Sequence, residues 1–233
     1  MLKKIDNKNM GKSNLGWLKS SFHFSFSEYY NPLNINFGKL RVINDDLIET
    51  KTGFPMHPHN DMEIVTYIIN GKLTHKDSMG NSHELGRGEV QYMSAGTGVY
   101  HSEYNLGDEE LRLLQIWIFP DKNDYEPNYG ENKFNWNDRE NKWIHMVSST
   151  EGNAPIKIHQ DVNIYSIYLD KDNEEGLKVG ENRQAYLVQI EGNSLINNVE
   201  LNEKDELEII EENIQIIAKE SSHFLVIEMK KEK

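Results

Sequence analysis

The sequence predicts an all-β protein of two sandwich or barrel domains, on three observations. Apolar residues fall in short runs or alternate, separated by Gly, Asn and Asp, and very little of the chain has helical periodicity. Asn70-Gly71 lies between EIVTYII and KLTH, a strong two-residue hairpin signal. The second half also faintly repeats the order of the first. IVTYIINGKL (64–73) resembles AYLVQIEGNSL (185–195), with Gly71 matching Gly192, and LGRGEVQY (85–92) resembles LNEKDELE (201–208). Two unrelated β-domains would be the plainer reading, but the shared order favours duplication.

The elements follow in order. Met79-Gly80-Asn81 and Gly86-Arg87-Gly88 mark turns, and EVQYM (89–93) and LRLLQIWIF (111–119) read as strands. Residues 121–142 are polar and rich in Asn and Asp, and read as a linker between a domain over 1–120 and one over 143–233. Strands resume at WIHMVS (143–148), VNIYSIYL (162–169), AYLVQI (185–190), LEII (207–210), IQIIA (214–218) and FLVIEM (224–229).

Composition narrows the chemistry. The 233 residues suffice for one large or two small cores, and a mean hydropathy of −0.71 fits a soluble chain. No window approaches the ~20 apolar residues of a membrane span, and the lysine-bearing N-terminus lacks the apolar stretch of a secretory signal. With no cysteine there is no disulfide, thiolate catalysis or iron–sulfur site, which fits a cytoplasmic location. Any metal must be held by histidine and oxygen. A net charge of −13 without a basic cluster argues against direct nucleic-acid binding and reads most simply as a solvated acidic surface.

Two pairs carry the chemistry. His57 and His59 are i and i+2, so on a strand both imidazoles point to one face. His101 and Glu103 repeat that spacing. Gly53 precedes the first pair and Gly96 and Gly98 the second, giving the backbone room to turn and chains room to approach. A lone HxH is most often structural; two framed pairs offer three neutral nitrogens and a carboxylate, a set for a divalent transition metal rather than Ca²⁺ or Mg²⁺. Glu63 is open to three roles: ligand, orienting partner or proton acceptor, beside the simpler one of an outward strand glutamate. Gln115, inside LLQIWIF, faces either solvent or a polar cavity where it meets substrate. His23, His75, His83, His145, His159 and His223 are assigned structural or surface roles. His159 and Asp161 share the i, i+2 geometry but have no second pair nearby.

At these residues the sequence resembles the cupin superfamily and, within it, the pirin family. HPHNDME (57–63) followed by Gly71 fits the first cupin motif, and GRGEVQYMSAGTGVYHSEYN (86–105) the second. GWLKSSFHFSFSEYYNP (16–32), FGKLRVINDD (37–46), residues 57–81, VQYMSAGTGVYHSE (90–103) and LLQIWIFPD (113–121) are each pirin-like. Ser94-Ala95-Gly96, where cupins often carry proline before the glycine, is a pirin feature. The resemblance implies a bicupin, two β-sandwich (jelly-roll) cupin domains facing each other. It implies one metal in the N-terminal domain, commonly iron, on His57, His59, His101 and Glu103, with Glu63 usually not a ligand. It also implies a C-terminal domain without a metal site, and residues 185–209 contain no HxH.

Some bacterial pirins are similar to quercetin 2,3-dioxygenases, which open a flavonol with O₂ and release carbon monoxide. The expected function is therefore a dioxygenase acting on a flavonol or related enol. Its cofactor would be iron(II) first, with manganese, nickel, copper or zinc as alternatives, and Glu103 or Glu63 would take the substrate proton. Other pirins are regulators, so a non-catalytic, redox-sensing protein that binds a protein partner is the alternative. Zinc-type isomerase or hydrolase chemistry is a third. A monomer is expected.

Overall fold

The computed structural model describes residues 1–232 and contains 22 strands, two 3₁₀ turns and no α-helix among them. The expected all-β class is borne out. The chain divides into two compact units. One holds residues 10–134 and 158–160; the other holds 1–9, 135–157 and 161 onward.

In the first unit a seven-stranded sheet runs in the order Asn128–Asn132, Val90–Ser94, Glu63–Asn70, Leu111–Ile118, Leu40–Ile48, Leu18–Phe22, Gly11–Asn14. A four-stranded sheet runs Thr52–His59, Val99–Asn105, Leu73–Asp77, Ser82–Leu85. Ile68, Leu73, Leu85, Leu111 and Leu113 form an apolar cluster that draws on strands of both sheets. A tight turn forms at Asn70-Gly71, with Gly71 at φ 75°, but not the expected hairpin: it carries the chain from Glu63–Asn70 in the seven-stranded sheet to Leu73–Asp77 in the four-stranded one, and the two strands do not pair with each other. A Cβ on Gly71 would lie 2.8 Å from the Glu110 carbonyl oxygen, so no other residue fits that turn without a shift.

The second unit repeats this plan. Its seven-stranded sheet runs Leu2–Ile5, Glu206–Ile210, Arg183–Glu191, Ser222–Lys230, Val162–Leu169, Ile144–Ser149, Ile156–Ile158. Its four-stranded sheet runs Glu174–Leu177, Ile214–Ala218, Ser194–Ile196, Val199–Leu201. Gly192, matched to Gly71 in the sequence, has φ 76°, and Lys204, matched to Gly88, has φ 67° against 79°.

The unit boundaries differ from those expected at 120 and 143. Leu2–Ile5 pairs with Glu206–Ile210, which carries the N-terminus into the second unit. The expected linker is not free chain: Asn128–Asn132 pairs with Val90–Ser94 as an edge strand, and Trp136–Arg139 forms a 3₁₀ turn. Edge strands and turns need little apolar sequence, so a polar segment can carry both.

Candidate metal centre

Thr52–His59 pairs antiparallel with Val99–Asn105, placing His57 opposite His101 and His59 opposite Val99. Between Phe54 and His57 the first strand carries one extra residue, a bulge at Pro55-Met56 that re-aims the side chains on either side. Pro55 is tolerated there because the bulge frees it from the ladder. Gly53 lets the strands close, since a Cβ there would sit 2.3 Å from the Glu103 carbonyl oxygen.

The strand geometry gathers three imidazoles. Ring centroids are 4.8 Å apart for His57 and His59, 4.4 Å for His57 and His101, and 4.9 Å for His59 and His101. One nitrogen from each falls within 4.8 Å of the others. The Pro55 carbonyl can only accept, so at 2.8 Å it fixes the proton of His57 on Nδ1 and leaves Nε2 a lone pair. Both nitrogens of His101 are buried without a partner. Burial, with the neighbouring imidazoles adding repulsion, pulls His59 and His101 each down to about 3. They are therefore neutral ligands at any ordinary pH, and the donor set fits a divalent transition metal.

Glu103 is buried and held by amides. Gln115 Nε2 donates to its Oε2 at 2.8 Å and Gln91 Nε2 to its Oε1 at 3.0 Å, while Thr66 Oγ1 donates to Gln115 Oε1 at 2.8 Å. Burial pushes the Glu103 carboxyl up, against the pull of His75, His57 and these donors. One of its carboxylate oxygens lies within 4.8 Å of nitrogens of His75 and His101, a second potential donor group that shares His101 with the three imidazoles. Gln115 thus occupies the cavity wall, not the solvent face. The cavity, about 210 Å³, is lined by His57, His59, Glu103 and Gln115, by the aromatic rings of Phe26, Phe54 and Trp117, and by Asn44 and Asp46.

Three residues, Glu63, His159 and His75, have surroundings that the sequence did not reveal. Glu63 does not reach the imidazoles. Side chains alternate along Glu63–Asn70, and Thr66 faces Gln115, so Glu63, three positions away, points to the opposite face. There it accepts from Ser94 Oγ at 2.7 Å and meets His159 Nδ1 at 3.1 Å, with Tyr125 stacked on the His159 ring at 3.7 Å. His159 is therefore a partner of Glu63, not an isolated surface residue. His75, assigned a structural role, is fully buried beside the cluster, its ring 5.5 Å from His101, with Nε2 on Asp77 at 3.3 Å and Tyr129 stacked on it at 4.6 Å. Pairing of Leu73–Asp77 with Val99–Asn105 sets His75 opposite Glu103, a register that no local sequence signal carries.

Comparison with known proteins accounts for both units. The Pirin family model matches residues 4–118, and the model described as quercetinase C-terminal cupin domain matches 145–229. A protein of Escherichia coli K12 named quercetin 2,3-dioxygenase is 41% identical over 221 residues, covering 94% of each chain. A pirin-like protein of Caulobacter vibrioides is 40% identical over 94% of this chain and 95% of its own. The crystal structure of the bacterial pirin YhhW from Escherichia coli in complex with nickel(II) superimposes with a TM-score of 0.93 at 38% identity over 100% of both chains. Two repeated β-sandwiches, the paired histidine motifs and these full-length matches together make this chain a member of the pirin family, with two cupin domains.

Proposed function

We propose that this pirin is a metal-dependent dioxygenase that opens a flavonol or related enol with O₂, using one divalent transition metal held by His57, His59, His101 and Glu103. The observation that carries the reading is the convergence of three imidazoles, one of them His101 with both ring nitrogens buried and unpartnered, beside a buried carboxylate in a cavity walled by aromatic rings. The relative named quercetin 2,3-dioxygenase and the nickel complex of YhhW support it.

A metal bound there supplies Lewis acidity toward an enol oxygen and brings O₂ and substrate together. The chain does the rest. His57, fixed by Pro55, and the deprotonated His59 and His101 present lone pairs without first losing a proton. Gln91 and Gln115 hold the Glu103 carboxylate in place. Glu103, its carboxyl raised by burial, takes the enol proton. Phe26, Phe54 and Trp117 pack on the substrate ring and exclude water. Glu63, on the other face of the sheet, takes no part.

The test loads the protein separately with iron(II), manganese, nickel and copper and follows flavonol loss, O₂ uptake and carbon monoxide together. The reading expects one O₂ consumed and one carbon monoxide released per flavonol, with at least one metal. Metal-loaded protein that leaves a panel of flavonols and related enols unchanged and consumes no O₂ rules it out.

A further inference from the structure

Beside the histidines, the same cavity carries polar atoms for which the proposed chemistry has no use. Asn44 and Asp46 are i and i+2 on the Leu40–Ile48 strand, so both face inward, and Asn44 lies opposite Gln115 in the ladder. Both are nearly fully buried, at 4% and 3% exposure. Asn44 Oδ1 and Asp46 Oδ1 are both buried without a hydrogen-bond donor, and both residues line the cavity. Trp117 Nε1, in the same wall, is a buried donor without an acceptor. Buried polar atoms are almost always paired, so two orphan acceptors and an orphan donor in one cavity wall describe the partner they await.

We propose that Asp46 and Asn44 recognise hydroxyl groups of the ligand other than the enol itself, so that the site selects polyhydroxylated enols over enols lacking such groups. The inference rests on the enol reading of the site given above. A hydroxyl donating to Asp46 Oδ1 and another to Asn44 Oδ1 would satisfy both acceptors, and a ring or hydroxyl oxygen would take the Trp117 N–H. Asp46 is the stronger element: a hydrogen bond to a carboxylate is stronger than one to an amide, and a site built around it penalises a ligand that cannot donate. Burial pushes the Asp46 carboxyl up to about 7 against the Ser20 hydroxyl, so a donor from the ligand also relieves an unfavourable burial. The cavity volume, about 210 Å³, lies below the ~300–1,000 Å³ of sites that enclose a drug-sized ligand. One ring with its substituents fits inside, so single-ring enols are suitable probes.

The experiment measures binding, not turnover. The full chain loaded with nickel(II) is titrated calorimetrically, without O₂, with two matched pairs. Kojic acid and allomaltol share a chelating hydroxypyranone and differ by one hydroxyl; quercetin and 3-hydroxyflavone share the flavonol enol and differ in their remaining hydroxyls. The hydroxylated member of each pair should bind about 10–100-fold more tightly. In Asp46→Ala this ratio should fall to about one with metal content unchanged. Asp46→Asn, which keeps the shape and a carbonyl acceptor, should show an intermediate ratio and serves if the alanine variant does not fold. Equal affinities within both pairs, or a preference that survives in the folded Asp46 variants, would overturn the inference while leaving the enol reading intact. If none of the four ligands binds in a metal-dependent way, the enol reading itself fails, and this inference with it.

Discussion

The two units share one strand order and differ in what fills them. In the first, the ladder aligns Thr66 with Gln91 and Gln115, and His75 with Glu103. In the second, the corresponding registers align Leu187 with Leu207 and Val226, and Ile196 with Ile216. All five replacements belong to one apolar cluster, as does Ile214 at the place of His101. The same scaffold therefore holds either a hydrogen-bonded polar interior around three imidazoles or a hydrocarbon core. The fold does not dictate the site; a handful of inward positions does. The polar interior pairs Glu103 with Gln91 and Gln115 and leaves His101, Asn44, Asp46 and Trp117 with buried polar atoms unpaired, as befits a site that awaits a ligand.

Exchanging residues between the units breaks this comparison most sharply. His101→Ile, which installs the residue of the second unit, should reduce bound metal from about one per chain to near zero while far-ultraviolet circular dichroism stays that of a β-protein; elemental analysis reads the result. The reverse exchange, Val226→Gln, places an amide in an apolar core without partners and should cost about 2–3 kcal/mol in urea denaturation. Gln91→Leu, again copying the second unit, removes a donor to Glu103 and should weaken metal affinity by about 10–100-fold, measured by competition with a chelator.

Acidity separates the units more gently. His59 and His101 fold with values near 3, below the ~6.5 of an unfolded histidine. Between these limits the unfolded chain binds more protons than the folded one. The stability of the metal-free protein should thus be fully present above pH 6.5 and decline as pH falls toward 3. Because these imidazoles take up a proton only near pH 3, metal should stay bound on acidification until pH approaches that value or the chain unfolds, as followed by dialysis and elemental analysis. The smallest effect is expected from Glu63→Gln, which should leave metal content and affinity unchanged and shift stability by at most about 1–2 kcal/mol, since Ser94 and His159 lie on the other face of the sheet.

Much of this was legible in the sequence, and what was missed has a common cause. His57 with His59, and His101 with Glu103, are visible because a strand's period of two converts spacing directly into a shared face. The repeat was visible because Gly71 and Gly192 each sit in a tight, left-handed turn. The parity of Glu63 was hidden because Glu63 to Ile69 is buried on both faces, leaving no polar–apolar alternation to read. His75, Gln91 and His159 were missed because their roles come from pairing across strands or from a segment distant in sequence; single-chain spacing carries no record of those neighbours.

The central claim, that one metal sits in the first unit on His57, His59, His101 and Glu103, is tested most directly by anomalous diffraction from crystals of the protein loaded with nickel(II) or iron(II). The account predicts a single anomalous peak bounded by those three imidazoles and the Glu103 carboxylate, and none against Ile214 and Ile216. A peak in the second unit, a peak at Glu63 and His159, or a peak at the imidazoles with Glu103 turned away from it would contradict it.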